Sequence, residues 1–391
     1  MSTILLGLTQ FFGSDNIRNT SAGALPSLIK CAKEAAPNNI SVIHDMAKKY
    51  SNNIIDAMET ETETDCLIAQ AQAVKEILEE AGPNLLQPES VDLFWKKILE
   101  FIQQSQNRID ENNKYEKENC EGDDDDKLDE EDLIVLKEEN KSENELQVSL
   151  AECIGILFKT HGPHCRNLVQ VLQSTVLPAV EADGSKQKQK FLLFILDDMV
   201  EFLGPDFLGP AYLAVAQKIC SYASSKYSAI RQAAVYGIGM MAQHGGATFA
   251  QISQLCLESI RTAIEFPMDA ATKEKKGKQT QYYHAKDNAV AALGKILKFQ
   301  STCADTNLLV EFWVQNLPLT HDMEEAKVQN EFLADTMLKA PGLILEDQGG
   351  ALQVGRLEKL VMILGEVCHK KQSDEATIDK LAVVIANMSQ N

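Results

Sequence analysis

The sequence has few residues that interrupt helices and little of the pattern that strands require. Its 391 residues include 11 prolines and 21 glycines, and 45% of them are hydrophobic. Alternation of Val, Ile and Thr with polar residues, which a half-buried sheet needs, is scarce. Apolar residues instead recur at spacings of three and four, the period of one helix face. The sequence therefore predicts an all-α protein.

Paired cysteines and long apolar runs are also missing. The nine cysteines are scattered and form no Cys-x-x-Cys pair, so they are expected to be reduced thiols, not a disulfide framework. No segment has the unbroken apolar length that a bilayer requires. Residues 1–12 are apolar but lack a basic leader and a convincing cleavage site. We therefore expect no membrane insertion.

Motifs for catalysis and cofactor binding are lacking as well. There is no phosphate-binding loop, and the Gly-Ile-Gly at 237–239 falls inside a predicted helix. His161, His164 and Cys165 are three possible metal ligands, but no matching pair elsewhere completes a tetrahedral site. The adjacent carboxylates at 197–198 have no nucleophile or histidine near them in sequence. The sequence predicts no enzyme, no cofactor and no metal.

A repeated helical pattern is the strongest positive signal. Residues 230–246 and a weaker copy at 286–297 align when Gly239 is placed on Gly294. Charged, small and apolar residues then recur at matching helical positions. For example, Ala234 aligns with an alanine of the second copy. Such a unit cannot bury its apolar face alone and must stack on others. This predicts a HEAT-type α-solenoid, a stack of antiparallel helix pairs.

Breakers between apolar stripes divide the chain into about eight pairs, predicted as one continuous array over residues 1–391. The pairs are expected near 1–13 and 16–33, 40–58 and 62–80, 90 onward and 147–160, 166–182 and 186–203, 209–224 and 229–243, 250–265 and 283–298, 307–316 and 324–339, and 353–369 and 374–388. We call the two helices of a pair its first and second helix.

The ordered motifs resemble the importin beta-3 (karyopherin beta-3) family of nuclear import receptors. The segment 230–246, with 194–201 before it and 292–299 after it, is similar to the C-terminal part of these proteins. The segment from Trp313 to Ala326, with its Leu-Pro-Leu and paired glutamates, matches in the same order. The resemblance is strong from about Glu145 to Leu338.

The resemblance implies the C-terminal portion of a receptor that shuttles between cytoplasm and nucleus through the nuclear pore. Its expected partners are basic cargo such as ribosomal proteins or histones, Phe-Gly nucleoporins, and Ran-GTP, the last mainly through N-terminal repeats absent from this sequence. The alternative is a HEAT-repeat scaffold of a phosphatase or chromosome-associated complex with no transport role. Direct nucleic-acid binding is disfavoured by the net charge of −20.

Acidic residues are concentrated in one segment, Arg108–Glu139. It has fifteen acids and five bases, a balance of −10 that is half of the chain's −20. We predict an acidic, partly disordered insertion over 108–139 within the third pair, with Glu116–Asp126 disordered because like charges repel. It is either a solvated tether or a contact for basic partners. The candidate contact residues are Asp123, Asp124, Asp125, Asp126, Asp129, Glu130, Glu131 and Asp132.

A second set of carboxylates is expected on second helices, which line the concave wall in importin-like arrays. Asp197 and Asp198, with Glu201 one turn later, are predicted to form an exposed polar strip that binds a lysine or arginine of a cargo signal. Neighbouring acids at Asp287, Glu324 and Glu325 extend this hypothesis. The alternative is an internal salt bridge, for example to Lys190 or Arg231.

Overall fold

The computed structural model describes residues 2–120, 128, 130–347 and 349–388. These residues are almost all helical and contain no strand; one isolated bridge joins Glu346 to Leu352. No helix in this part of the chain is long and apolar enough to cross a membrane. The predicted all-α fold is confirmed. The chain divides into two compact units, Met1–Asp198 and Met199–Asn391, which are described separately.

The first unit contains nine helices within its described residues. They are α1 Ser2–Leu8, α2 Asp15–Ala35, α3 Ile40–Met58, α4 Thr64–Ala81, α5 Pro88–Cys120, α6 Glu130–His161, α7 Arg166–Val171, α8 Leu177–Asp183 and α9 Lys186–Asp198. A π-helical turn, Leu172–Val176, joins α7 to α8. The second helices α2, α4, α6 and α9 pack on one another in chain order.

The apolar period explains why these segments are helical and which side is buried. In α3 the buried residues Ile43, Ala47, Tyr50 and Ile54 are separated by four, three and four positions, so they form one stripe. The stripe packs on α4 and α2. Burial of each large apolar side chain stabilises the folded state by about 1.5–3 kcal/mol.

A buried carboxylate, Glu143, joins the two helices of the third pair to each other and to the preceding pair. Glu143 of α6 accepts hydrogen bonds from Arg108 of α5 through Nε at 2.6 Å and Nη2 at 2.9 Å. The hydroxyl of Thr64, at the start of α4, donates to the same carboxylate at 2.8 Å. Glu143 is only 3% exposed, so these three bonds offset the cost of burying its charge. One side chain thus joins three helices.

The acidic segment is more helical than the sequence predicts. Helix α5 continues to Cys120 and α6 begins at Glu130, so the described parts of 108–139 extend the third pair's helices. Residues 116–120 are helical in the structure, and partial disorder of 108–139 stays a prediction. An i,i+4 contact of 3.8 Å between Lys114 and Glu118 accompanies the extension. Residues 121–127 and Asp129 lie outside the described residues.

The second unit opens with a π-helical segment, Met199–Leu203. Its helices are α10 Gly204–Leu208, α11 Ala211–Ser221, α12 Ser228–His244, α13 Ser253–Ile264, α14 Ala270–Glu274, α15 Lys276–Phe299, α16 Thr306–Asn316, α17 Met323–Lys339, α18 Pro341–Leu345, α19 Val354–Lys370 and α20 Glu375–Met388. The second helices α12, α15, α17 and α20 again pack in chain order. That both units belong to one continuous array stays a prediction.

The glycines of the repeated pattern mark where second helices approach each other. A Cβ at Gly239 of α12 would lie 3.0 Å from Cδ of Lys295, which comes from α15. A Cβ at Gly294 of α15 would lie 1.8 Å from Oε1 of Gln329 and 2.8 Å from Nε1 of Trp313. Each glycine therefore leaves space for a polar side chain of the following pair. This explains why the two copies align on glycine.

The His161–Cys165 segment has a structural role. His161 is 1% exposed, and its Nε2 accepts the backbone N–H of Leu86 at 3.0 Å. Cys165 is also buried and lies near the carbonyls of Leu157 and His161. Burial lowers the pKa of His161 to about 4, with smaller contributions from His164 and His44. His161 is thus a neutral side chain that holds the turn before α5 against the end of α6.

Gly294→Ala should destabilise the protein. The added methyl would overlap the Gln329 amide, so the free energy of unfolding should fall by about 1–3 kcal/mol. Gly365→Ala is the matched control, because nothing lies within 4 Å of a Cβ built there. In an exposed helix interior that change should raise stability by about 0.5–1 kcal/mol. Urea denaturation followed by circular dichroism measures both, and changes of the same sign would contradict the packing described.

His161→Gln should reduce the loss of stability in acid. The unfolded histidine has a pKa of about 6.5, above the folded value of about 4. The unfolded chain therefore binds more protons below about pH 6.5, and stability falls as pH drops from there towards 4. The histidine accounts for a loss on the order of 3 kcal/mol over that window. Urea unfolding at several pH values should show a shallower slope for His161→Gln, whereas exposed His369→Gln should keep the original slope.

Candidate protein-binding surface

The two adjacent aspartates at the end of α9 have different surroundings. Asp197 is 4% exposed, so the predicted exposed strip is wrong for this residue. Asp198 is half-buried. Its carboxylate lies against the backbone of α6, where a Cβ at Gly155 would be 2.1 Å from Oδ2. Only Asp198 of this pair offers partial access to a partner from solvent.

Glu201 belongs to a row of polar contacts across the second helices of the second unit. Its Oε2 accepts the hydroxyl of Tyr236 in α12 at 3.0 Å. The ring of Tyr236 lies 5.5 Å from the ammonium of Lys295 in α15. Lys295 in turn donates to Glu325 in α17 at 2.6 Å. The sequence pattern does not predict these contacts, because the residues that form them are far apart in the chain.

Glu324 and Glu325 are adjacent on α17 but differ in their exposure to solvent. The Glu325 side chain is 14% exposed and that of its partner Lys295 is 9% exposed, so their ion pair is largely shielded from solvent. Glu324 is 85% exposed and contacts Lys327 one turn later at 2.7 Å. Glu324 is therefore accessible to a partner, and Glu325 is committed to packing.

Asp287 anchors the loop that precedes α17. It is 8% exposed, and its Oδ2 accepts the backbone N–H groups of Thr320 at 3.0 Å, His321 at 2.7 Å and Asp322 at 3.0 Å. Asp322 then caps α17 by accepting the N–H of Glu325 at 3.1 Å. Three backbone donors satisfy this carboxylate, so the structure gives Asp287 an internal role that the sequence did not predict.

The structure shows only part of the acidic contact segment. Glu130, Glu131 and Asp132 are exposed in the first turn of α6, where the positive end of the helix dipole favours negative charge. The other five candidates, Asp123–Asp126 and Asp129, lie outside the described residues. No group of metal-ligating side chains occurs in the described ranges.

A polar groove of about 760 Å³ in the first unit lies among α4, α5, α6 and α9. Four lysines and three asparagines line it together with three glutamates. The lysines are Lys137, Lys141, Lys186 and Lys190, and the asparagines are Asn113, Asn140 and Asn144. Opposite charges alternate here, as in the Lys141–Glu145 contact of 3.6 Å. The groove therefore has no strong preference for one sign of charge.

A smaller cavity of about 300 Å³ lies in the second unit between α12, α15 and α17. We call it the Phe299 pocket. Its lining residues are Gln243, Gly294, Lys295, Lys298, Phe299, Val328, Gln329 and Phe332. No pattern in the sequence indicates this pocket, because its residues come from three helices. The available signal was an apolar Phe299 and Val328 on otherwise polar helix faces, where they are 42% and 43% exposed.

Sequence comparisons give matches to importins. A family profile described as Importin repeat 6 matches residues 66–181. Importin subunit beta-3 of Saccharomyces cerevisiae is 22% identical over 339 residues, which cover 85% of this chain and 29% of the relative. A probable importin-5 homolog of Dictyostelium discoideum is 23% identical over 394 residues, covering 96% of this chain and 34% of the relative. The chain spans about a third of the length of these relatives.

Solved structures of the karyopherin Kap121p have the same fold. The structure bound to the SUMO protease Ulp1p aligns with a TM-score of 0.69 and 19% identity, covering 98% of this chain and 32% of that chain. The structure bound to RanGTP aligns with a TM-score of 0.67 and 17% identity, covering 98% and 31%. These structures show the HEAT-repeat fold, and together with the importin matches they confirm the resemblance of this chain to the karyopherin-beta family.

Proposed function

We propose that this chain is part of a nuclear import receptor that binds basic cargo proteins and takes part in Ran-regulated transport through the nuclear pore. The observation that carries the proposal is the karyopherin fold over 98% of the chain, combined with the importin-repeat match at 66–181. The proposed activity is binding, not catalysis.

Complexes of the similar proteins support Ran-GTP and protein partners for this chain. Structures of Kap121p include complexes with RanGTP, Ste12p, Pho4p and Nup53p. For this chain we propose basic cargo such as ribosomal proteins or histones, Phe-Gly nucleoporins, and Ran-GTP. A receptor of this kind is proposed to shuttle between cytoplasm and nucleus, including the pore.

Charge supports the choice of basic cargo. The chain has a formal net charge of −20, which attracts basic proteins over distances of about a Debye length, ~10 Å at moderate salt. The accessible carboxylates are Asp198, Glu201 and Glu324, together with the first turn of α6, Glu130–Asp132. They can form charge-assisted hydrogen bonds with lysine or arginine. The proposal leaves out Asp197, Asp287 and Glu325, because these carboxylates are buried or committed to internal contacts.

A binding assay with cell extract tests the receptor function. The tagged chain should retain basic proteins and Phe-Gly nucleoporins, and addition of Ran loaded with GTP should release the basic proteins, because cargo and Ran-GTP compete through linked equilibria. Mass spectrometry of both fractions identifies the retained proteins. Retention of a stable phosphatase or chromosome-associated complex, unaffected by Ran-GTP, would contradict the proposal and support a HEAT scaffold.

Neutralising accessible acids on second helices should weaken binding of a lysine-rich peptide. We expect Glu201→Gln/Glu324→Gln to reduce affinity roughly threefold to tenfold, since each exposed ion pair is worth up to about 1 kcal/mol. The matched control is Glu258→Gln/Glu358→Gln, which removes two exposed acids from the first helices α13 and α19. Fluorescence anisotropy measures the affinities. An equal loss in both variants would show that net charge, not position, governs the binding.

A further inference from the structure

The Gln329 amide on the wall of the Phe299 pocket is held by hydrogen bonds to neighbouring groups. The Gln329 amide is 1% exposed; its Oε1 accepts the indole N–H of Trp313 at 3.1 Å, and its Nε2 donates to the Ala291 carbonyl at 3.3 Å. The Trp313 ring is fully buried, with its centroid 5.3 Å from that of Phe332. Trp313 does not line the pocket, but its contacts hold two lining side chains, Gln329 and Phe332, in place. Lining groups that are already ordered lower the entropy cost of binding.

The walls of the pocket are apolar and partly open to solvent. Phe299 and Val328 are the large apolar side chains with about two fifths of their surface exposed, and Phe332 also lines the pocket. A cavity of about 300 Å³ is at the lower end of the range for ligand sites. It accepts one or two side chains of a partner, and not a whole helix. Aromatic anchors in such pockets dominate the energy of many protein interfaces.

The rim of the pocket is cationic. Lys298 is exposed, and its ammonium lies 5.4 Å from the Phe299 ring centroid and 5.9 Å from that of Phe332. It has no acidic partner among the described residues. The other lysine of the pocket, Lys295, is neutralised by Glu325. Lys298 is thus the charged group available to a partner that enters the pocket.

The acids on the surrounding helices are all engaged elsewhere. Helix α12 has no acidic residue, and the one on α15, Asp287, binds the loop before α17. The ion pairs of the acids on α17 are Glu324 with Lys327, Glu325 with Lys295, Glu331 with Lys380, and Asp335 with Lys339 and Lys380. Lys298 therefore gives the pocket a local positive charge within an acidic chain.

The end of α12 adds little negative potential at this rim. Carbonyl groups at a helix C-terminus carry partial negative charge and would repel a carboxylate. Here the Gln300 side chain donates to the carbonyls of Ala242 at 3.0 Å and Gly246 at 3.3 Å, which satisfies acceptors on both sides of Gln243. Gln243 is exposed, and its amide has no partner within the described residues. It can hydrogen-bond the backbone of a bound segment.

We propose that the Phe299 pocket binds an extended protein segment in which a phenylalanine is flanked by aspartate or glutamate. The phenylalanine ring fills the space between Phe299 and Phe332, and the neighbouring carboxylate contacts the ammonium of Lys298. This charge preference is opposite to that proposed for basic cargo. The inference goes beyond the import function and does not depend on it.

Labelled peptides test both parts of the proposal. The probe is Gly-Ser-Asp-Phe-Asp-Ser-Gly, compared with peptides that have alanine in place of phenylalanine, or glycine or lysine in place of both aspartates. The full chain should bind the Asp-Phe-Asp peptide about tenfold or more tightly than each comparison peptide, a difference of about 1.4 kcal/mol. Equal binding of the glycine-flanked peptide would overturn the role of Lys298, and equal binding of the alanine peptide would overturn the role of the pocket.

Charge reversal provides a test that loss of folding cannot imitate. Lys298→Glu should weaken binding of the Asp-Phe-Asp peptide and strengthen binding of the Lys-Phe-Lys peptide. The matched control is Lys226→Glu, an exposed lysine whose ammonium lies 5.1 Å from the Tyr227 ring in the same unit. This control should leave both affinities unchanged. A change in peptide preference by Lys226→Glu, or binding of oligothymidylate instead of peptide at Lys298, would overturn the proposal.

Discussion

Close packing between successive second helices is the constraint on which the structure depends. A single helix pair cannot bury its apolar face, so each pair relies on its neighbours. At Gly239 and Gly294 the space left by the missing side chain is filled by Lys295 and Gln329 of the next second helix. Buried polar groups must keep their hydrogen bonds, and Gln329 does so with Trp313. The glycine positions of the repeat therefore determine both the distance between successive second helices and the polar side chain that fits between them.

The same constraint explains what the sequence could predict. Helix bounds followed from the apolar period: the predicted 40–58 is α3, Ile40–Met58, and the predicted 353–369 differs by one residue at each end from α19, Val354–Lys370. Charge density was a poorer guide. It says nothing of the helix α5, which extends through Glu116 to Cys120, because lysine and glutamate are good helix formers at suitable spacing.

The candidate site was harder to predict than the fold, because a helix period gives one face of one helix and says nothing of distant partners. Asp287 lies on a recognisable second helix, yet its carboxylate is bound by backbone donors at 320–322, more than thirty residues away. Glu324 and Glu325 are adjacent in sequence, and only Glu324 remains accessible. Which acids face solvent depends on the register between helices, which a single sequence does not contain.

Internal use of carboxylates also determines the charge of the remaining surface. In the second unit, acids on α15 and α17 are bound by backbone donors or by lysines, so formal charge is a poor description of local potential there. Among the described residues Lys298 has no acidic partner, and it lies beside two phenylalanine rings in a chain of net charge −20. Two opposite charge preferences can therefore coexist in one chain. The net negative charge attracts basic proteins over about a Debye length, whereas the Phe299 pocket selects an acidic, aromatic segment only on direct contact.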